Sequence, residues 1–262
     1  MKKVKYIVLW GMVVIYLFVV SGFISIQQHN TLCHTVNVVV ADSLARRFVK
    51  PTDIVDMLNK NKQVCLGYQV QKINTDEIEK IVLNNTLIKD CKVYSTVDGT
   101  INIEIAQREP IVRIIDGLGQ SYYLDASGSI IQKSRRFTPH LLVVNGHIRT
   151  PFKLNKVENI FDRRFDGKAD KLRDIFILAN FINGHSFWKA QIEQIYVNNQ
   201  GEFELVPRIG PHIIILGSID DYEGKFEKLW LFYNEGLRNV GWNQYLKINL
   251  KYRDQIVCTK TE

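Results

Sequence analysis

Apolar and polar positions divide the chain into stretches of different period. From Ile7 to Ile26 the sequence reads IVLWGMVVIYLFVVSGFISI, with no charged residue. A hydrocarbon core of roughly 30 Å needs about 20 such residues at about 1.5 Å of rise each, and a helix keeps its backbone groups satisfied in lipid. This run therefore predicts a transmembrane helix at 7–26. Lys2, Lys3 and Lys5 precede it, and no Lys or Arg follows until Arg46. That asymmetry places residues 1–6 in the cytoplasm and the bulk of the chain on the far side. A cleaved signal peptide is the rival reading, but its apolar core is usually shorter and no convincing small-x-small cleavage site is found. Leu32 is too bulky to precede a lipid-modified Cys33.

Beyond a linker at 27–33 the periods become those of a folded protein. TVNVVVA from Thr35 to Ala41 predicts a strand. Pro51 opens a helix with Ile54, Met57 and Leu58 on one face. Thr75 as N-cap, with Asp76, Glu77 and Glu79 in the first turn and a stripe of Ile78, Ile81 and Val82, predicts a second. Cys91, Val93, Ser95 and Val97 then alternate up to an Asp98-Gly99 turn, and Ile101, Ile103 and Ile105 alternate on the return, which predicts a hairpin. Strand, helix, helix, strand, strand makes a small domain over 34–109, two helices on one face of three strands.

From 110 to 262 the pattern predicts a larger mixed β-sheet domain with two helices, so the whole is an α+β protein. Strands are expected at 111–115, 121–125, 141–144, 192–197, 203–206 and 212–216, with a turn at Asp125–Gly128 and an irregular polar loop at 150–167. Helices are expected at Ala169–Asn183 and at Tyr222–Asn234, the second with Phe226, Leu229, Trp230 and Tyr233 on its apolar face. LKINLKYRD closes the pattern, with Ile248, Leu250 and Tyr252 alternating against Asn249, Lys251 and Arg253 as a half-exposed terminal strand.

Composition changes this picture little. The net charge is +7, three of it in the first five residues, so what lies beyond the span is only mildly basic, and its compartment argues against nucleic acid. Cys33, Cys65, Cys91 and Cys258 all follow the span, where disulfides form. Their spacing fits neither a zinc site nor a redox motif, and leaves a Cys65–Cys91 bridge open. None of the six histidines has a helical i, i+4 partner, which argues against a metal site. Gly117-Leu118-Gly119 lacks the third glycine and following helix of a phosphate loop. Asp220-Asp221 reads as a helix cap rather than an acid–base pair. No cofactor, small-molecule substrate or catalytic residue is expected, which favours a binding or scaffold role over an enzyme.

The segments LIKDCKVYSTVDGTINIEIAQREPIVRI, SYYLDASGSII and KINLKYRDQIV resemble the FtsQ/DivIB family of bacterial division proteins, in which an anchor, a POTRA module and a β-rich domain follow one another. The resemblance implies a non-enzymatic divisome assembly factor at the septum of the inner membrane, joining FtsB and FtsL and helping control septal peptidoglycan synthesis. It also implies a partner strand added beside the terminal strand, which would use Ile248, Leu250, Lys251, Tyr252 and Arg253. The alternative reading is an anchored envelope hydrolase or glycan-binding protein.

Overall fold

The structure, a computed structural model, describes residues 10–20, 31–41, 48–134 and 136–261. The first of these stretches is helical (α1) and exposed from Trp10 to Val19. Among the described residues no helix is long and apolar enough to cross a membrane. The ends of the 7–26 span, Ile7 and Ile26 included, lie outside the described residues. The described residues fall into two compact units that divide between Gln107 and Arg108.

The first unit runs β1 (Thr35–Ala41), α2 (Pro51–Lys60), α3 (Thr75–Leu83), β2 (Ile88–Ser95) and β3 (Thr100–Gln107). Its sheet has the order β1-β3-β2, with β1 parallel and β2 antiparallel to the central β3. Ile101, Ile103 and Ile105 of β3 are fully buried, as are Ile54 of α2 and Ile78 and Val82 of α3. Each such side chain contributes about 1.5–3 kcal/mol by leaving water. Pro51 takes the first helical position as its fixed φ favours. The α3 cap is Asn74 rather than Thr75: its side-chain oxygen accepts from the Glu77 amide at 3.1 Å. Buried Gln107 accepts from the amides of Phe48 and Val49 at 3.1 and 3.0 Å, tying the entry of α2 to the end of β3. Between β2 and β3, Gly99 has φ 86°, and a Cβ there would stand 2.5 Å from the Leu32 carbonyl oxygen, so no other residue fits without displacement.

The second unit is a nine-stranded mixed sheet. Its strands are β4 (Pro110–Ile115), β5 (Ser121–Asp125), β6 (Ile130–Gln132), β7 (Leu142–Gly146), β8 (Ile192–Val197), β9 (Phe203–Pro207), β10 (Ile213–Gly217), β11 (Tyr245–Asn249) and β12 (Val257–Lys260). They lie in the order β12-β11-β10-β9-β8-β7-β4-β5-β6. Two crossovers between parallel neighbours carry the helices. The first, α4 (Asp170–Gly184) and α5 (Ser186–Gln191), joins β7 to β8, and the second, around α6 (Tyr222–Leu231), joins β10 to β11. A parallel pair cannot be closed by a tight turn, so these long connections are obligatory. Leu172, Ile175, Leu178, Ala179 and Ile182 of α4 and Phe226 and Leu229 of α6 share one core with Val112, Val144, Ile195, Leu205, Ile214 and Ile248 of the sheet.

Several details depart from the pattern reading. α5 was not anticipated; buried Trp188 is what docks it, edge-on to Phe226 with centroids 4.9 Å apart. The α6 helix stops at Leu231 and continues as a π-helical turn from Phe232 to Leu237. Trp230 is half exposed instead of buried, because Phe226, Leu229 and Tyr233 already fill the inward stripe. Asp221 stands at the α6 N-cap but makes no side-chain cap bond, since its φ of 48° is left-handed rather than extended. The 150–167 segment is not simply polar: Ile160 and Phe165 insert into the core.

Candidate partner-binding edge

A sheet with two ends has two rows of backbone groups to manage, and this one treats them differently. At the β6 end the strand has only three residues, and the 150–167 loop closes over it. The Ile130 amide donates to the Glu158 carbonyl at 2.9 Å, the Ile160 amide to Gly128 at 3.0 Å, and Ser129 bridges Asn159. The β5–β6 turn beneath is locked by Asp125. Its carboxylate accepts from the Ser127 and Ser129 amides at 2.8 and 2.9 Å, from the Ser127 hydroxyl at 2.6 Å, and from Arg108 Nη1 at 2.8 Å. Burial by itself would raise the Asp125 pKa, but bonds from Ser127, Arg108 and the two amides outweigh it and hold the group below its ordinary value.

The β12 end is open. β12 pairs antiparallel with β11 through Asn249–Val257, Ile248–Cys258, Lys247–Thr259 and Tyr245–Lys260. Just past the last pair the Thr261 amide donates inward, to the Gln244 carbonyl at 3.0 Å. Alternation then directs the backbone groups of Thr259 toward β11 and those of Cys258 and Lys260 away from it. No partner strand lies outside β12 among the described residues. Val257, Thr259 and Lys260 are exposed, whereas Cys258 is half-buried against the core.

This corrects the terminal strand expected from LKINLKYRD. β11 ends at Asn249 and is not the edge, because β12 covers its outer side. Asn249 accepts the Lys251 amide on its side chain at 3.0 Å, a local turn that competes with strand extension. Lys228 of α6 then gathers the carbonyls of Leu250, Tyr252 and Arg253, the last at 3.0 Å, and holds the 250–256 loop against the helix layer. Ile248 and Leu250 are fully buried and face the core. Lys251 is already engaged, its ammonium 2.6 Å from Glu202 Oε1. Tyr252 and Arg253 are exposed on the loop beside the edge. Of the five residues expected to form an interface, two are therefore buried in the core, one is paired within the domain, and two stand at the surface. Pattern reading missed Val257–Lys260, although the short β-branched stretch after Asp254 was the available signal.

A cleft of about 320 Å³ is lined by Glu109, His140, Asn183, Lys189, Glu193 and Arg208, charges of both signs spread around its walls. His212 is buried, with Nε2 2.9 Å from the Tyr233 hydroxyl, and burial lowers its pKa, so it is a neutral core group. Among the described residues no three His, Cys, Asp or Glu side chains are grouped to hold a metal ion.

Comparison with known proteins agrees with this architecture. Residues 31–106 match a POTRA-like domain, and residues 109–259 match the family described as FtsQ/DivIB, C-terminal related. A POTRA-like module followed by that β-rich domain defines the class. The chain belongs to the FtsQ/DivIB family. It is also similar to the cell division protein FtsQ of Rickettsia bellii (strain RML369-C), 36% identical over 97 residues. That stretch is 37% of this chain and 34% of the relative, so the match spans about a third of the relative's length. Membership of the family implies a role in cell division.

Proposed function

We propose that this chain is a non-enzymatic assembly protein of the division machinery whose β12 edge accepts a strand from an FtsB- or FtsL-like partner. On this reading residues 7–26 anchor it in the cytoplasmic membrane, with 1–6 inside and 27–33 as a linker. The POTRA-like unit at 34–109 and the β-rich unit at 110–262 then stand on the outer side, at the septum, where the complex helps control peptidoglycan synthesis. The observation that carries the proposal is the contrast between the two ends of the nine-stranded sheet. β6 is short and sealed by the 158–160 segment, while β12 presents outward backbone groups beside exposed Tyr252 and Arg253. Main-chain pairing on such an edge supplies affinity, and neighbouring side chains supply choice of partner.

The test is capture of the tagged full-length chain from crosslinked dividing cells, combined with its depletion. FtsB- or FtsL-like proteins are expected in the captured material, and depleted cells are expected to elongate without septa. Normal division after depletion, with neither partner captured, would overturn the proposal.

A further inference from the structure

Four cysteines are present and all four are free thiols, yet two of them belong to segments that are stitched together. The stretch entering β1 runs beside the turn that follows α2. The Cys33 amide donates to the Tyr68 carbonyl at 2.8 Å, the Gly67 amide to the Cys33 carbonyl at 2.7 Å, and the Val70 amide to Thr31 at 3.0 Å, while Leu32 and Gln69 form an antiparallel bridge. The Tyr68 amide in turn donates to the Cys65 carbonyl at 3.3 Å, closing a four-residue turn. Such a turn keeps its end Cα atoms within about 7 Å, and Tyr68 is the residue directly across from Cys33. Both side chains point into the unit, Cys33 at 1% and Cys65 at 5% exposure.

The pairing left open by spacing alone, Cys65 with Cys91, would have to reach from the turn stitched beside the entry of β1 to β2, on the other side of the central β3. Cys91 sits on β2 with Glu79 and Asp90 as its charged neighbours. The titratable group beside Cys65 is Cys33 itself, close enough that ionising one thiol would add to the effect of burial in raising the pKa of the other. Cys258 belongs to the other unit.

We propose that Cys33 and Cys65 are joined by an intramolecular disulfide when the unit reaches an oxidising compartment. This rests on the export reading above. The thiolate of one cysteine attacks an incoming protein disulfide and expels one of its sulfurs as thiolate. The second cysteine, deprotonated, attacks the mixed disulfide and expels the other sulfur. Two cysteine thiols lose two hydrogens, and the oxidant's disulfide becomes two thiols. Burial raises the pKa of both thiols, so the folded unit supplies little thiolate. Exchange therefore belongs to the period before the 31–34 stretch docks, and once made the bond is shielded from reductants. It closes the loop containing β1 and α2 and fastens the point where the chain enters the unit to the α2–α3 connection.

The full-length chain is isolated from membranes, its free thiols alkylated under denaturing conditions, and digested without reduction for mass spectrometry. A Cys33–Cys65 linked peptide pair, lighter by two hydrogens than the sum of its parts, is expected, with Cys91 and Cys258 alkylated. Protease accessibility on intact spheroplasts reports separately which side the unit occupies. Alkylated Cys33 and Cys65 in a chain shown to be outside overturn the disulfide, as does a Cys65–Cys91 link. Should the unit prove to be inside, the export reading fails, and refolding of the denatured, reduced full-length chain in a glutathione and glutathione disulfide buffer decides the pairing. A Cys33–Cys65 link then upholds it, and its absence overturns it.

Discussion

Replacing Lys260 by proline is expected to weaken partner binding by roughly two orders of magnitude while leaving the β-rich unit folded. The Lys260 amide points away from β11, so proline removes no bond within the domain, and an outward edge position is one that proline tolerates. A strand docking on β12 would lose a donor, and its own carbonyl would be buried without a partner. That loss is about 2–4 kcal/mol, or roughly 30- to 700-fold in Kd. Lys260→Ala keeps the amide and is expected to bind within a few fold of the parent. Thr259→Pro removes an inward amide and is expected to detach β12 from β11, losing binding and edge structure together. Isothermal titration with purified partner, beside circular dichroism of each variant, separates the cases. Leu250 is not a useful site for the same purpose, since its amide donates to the Ile215 carbonyl at 2.9 Å inside the sheet.

The second large effect is expected at Asp125. Asp125→Ala strips four donors at once, among them Arg108, whose side chain is only 12% exposed. Removing one partner of a buried, hydrogen-bonded pair costs about 3–5 kcal/mol, which for a unit of this size lowers Tm by roughly 6–20 °C. The comparison is Asp166→Ala, which breaks a bond to Arg173 from a carboxylate 63% exposed. That pair is worth about 1 kcal/mol at most. Tryptophan fluorescence of a Trp10→Phe background reads the β-rich unit selectively, because the other three tryptophans, Trp188, Trp230 and Trp242, all lie within it. The pH dependence follows from the lowered Asp125 pKa. The unfolded state binds the proton more readily, so the stabilisation is present above the unfolded value near 4 and is lost as pH falls through the folded value. The gap between parent and Asp125→Asn is therefore expected to narrow on acidification. A gap that stays constant below pH 4 would show that the carboxylate's charge is not what the turn uses.

Features written in short-range periodicity were legible in the sequence. Asp98-Gly99 between two alternating runs predicted the β2–β3 hairpin, and the Ile78, Ile81 and Val82 stripe predicted α3. Both are settled by residues within a few positions of one another. What decides the edge is not local. Nothing near Ile130 announces that Glu158 will accept its amide, and nothing near Asn249 announces that Lys228, in another element, will gather the carbonyls beyond it. The alternation of Ile248, Leu250 and Tyr252 predicts one strand because period-two patterning does not mark where pairing stops. Ile248 and Leu250 do face the core, but the chain turns before Tyr252 and returns as the true edge. Sheet order is equally hidden, since β4 lies beside β7 and β10 beside β11 only after long connections have been traversed.

Residue-resolved hydrogen exchange on the full-length chain, with and without its partner, tests the central claim most directly. In the free chain the Cys258 and Lys260 amides face away from the ladder and are expected to exchange rapidly, while those of Thr259 and Thr261 are protected. Adding the partner is expected to slow Cys258 and Lys260 by at least an order of magnitude, as new main-chain bonds form. Unchanged exchange at both amides in a saturated complex, with protection appearing instead along β1 or another surface, would contradict strand addition at β12.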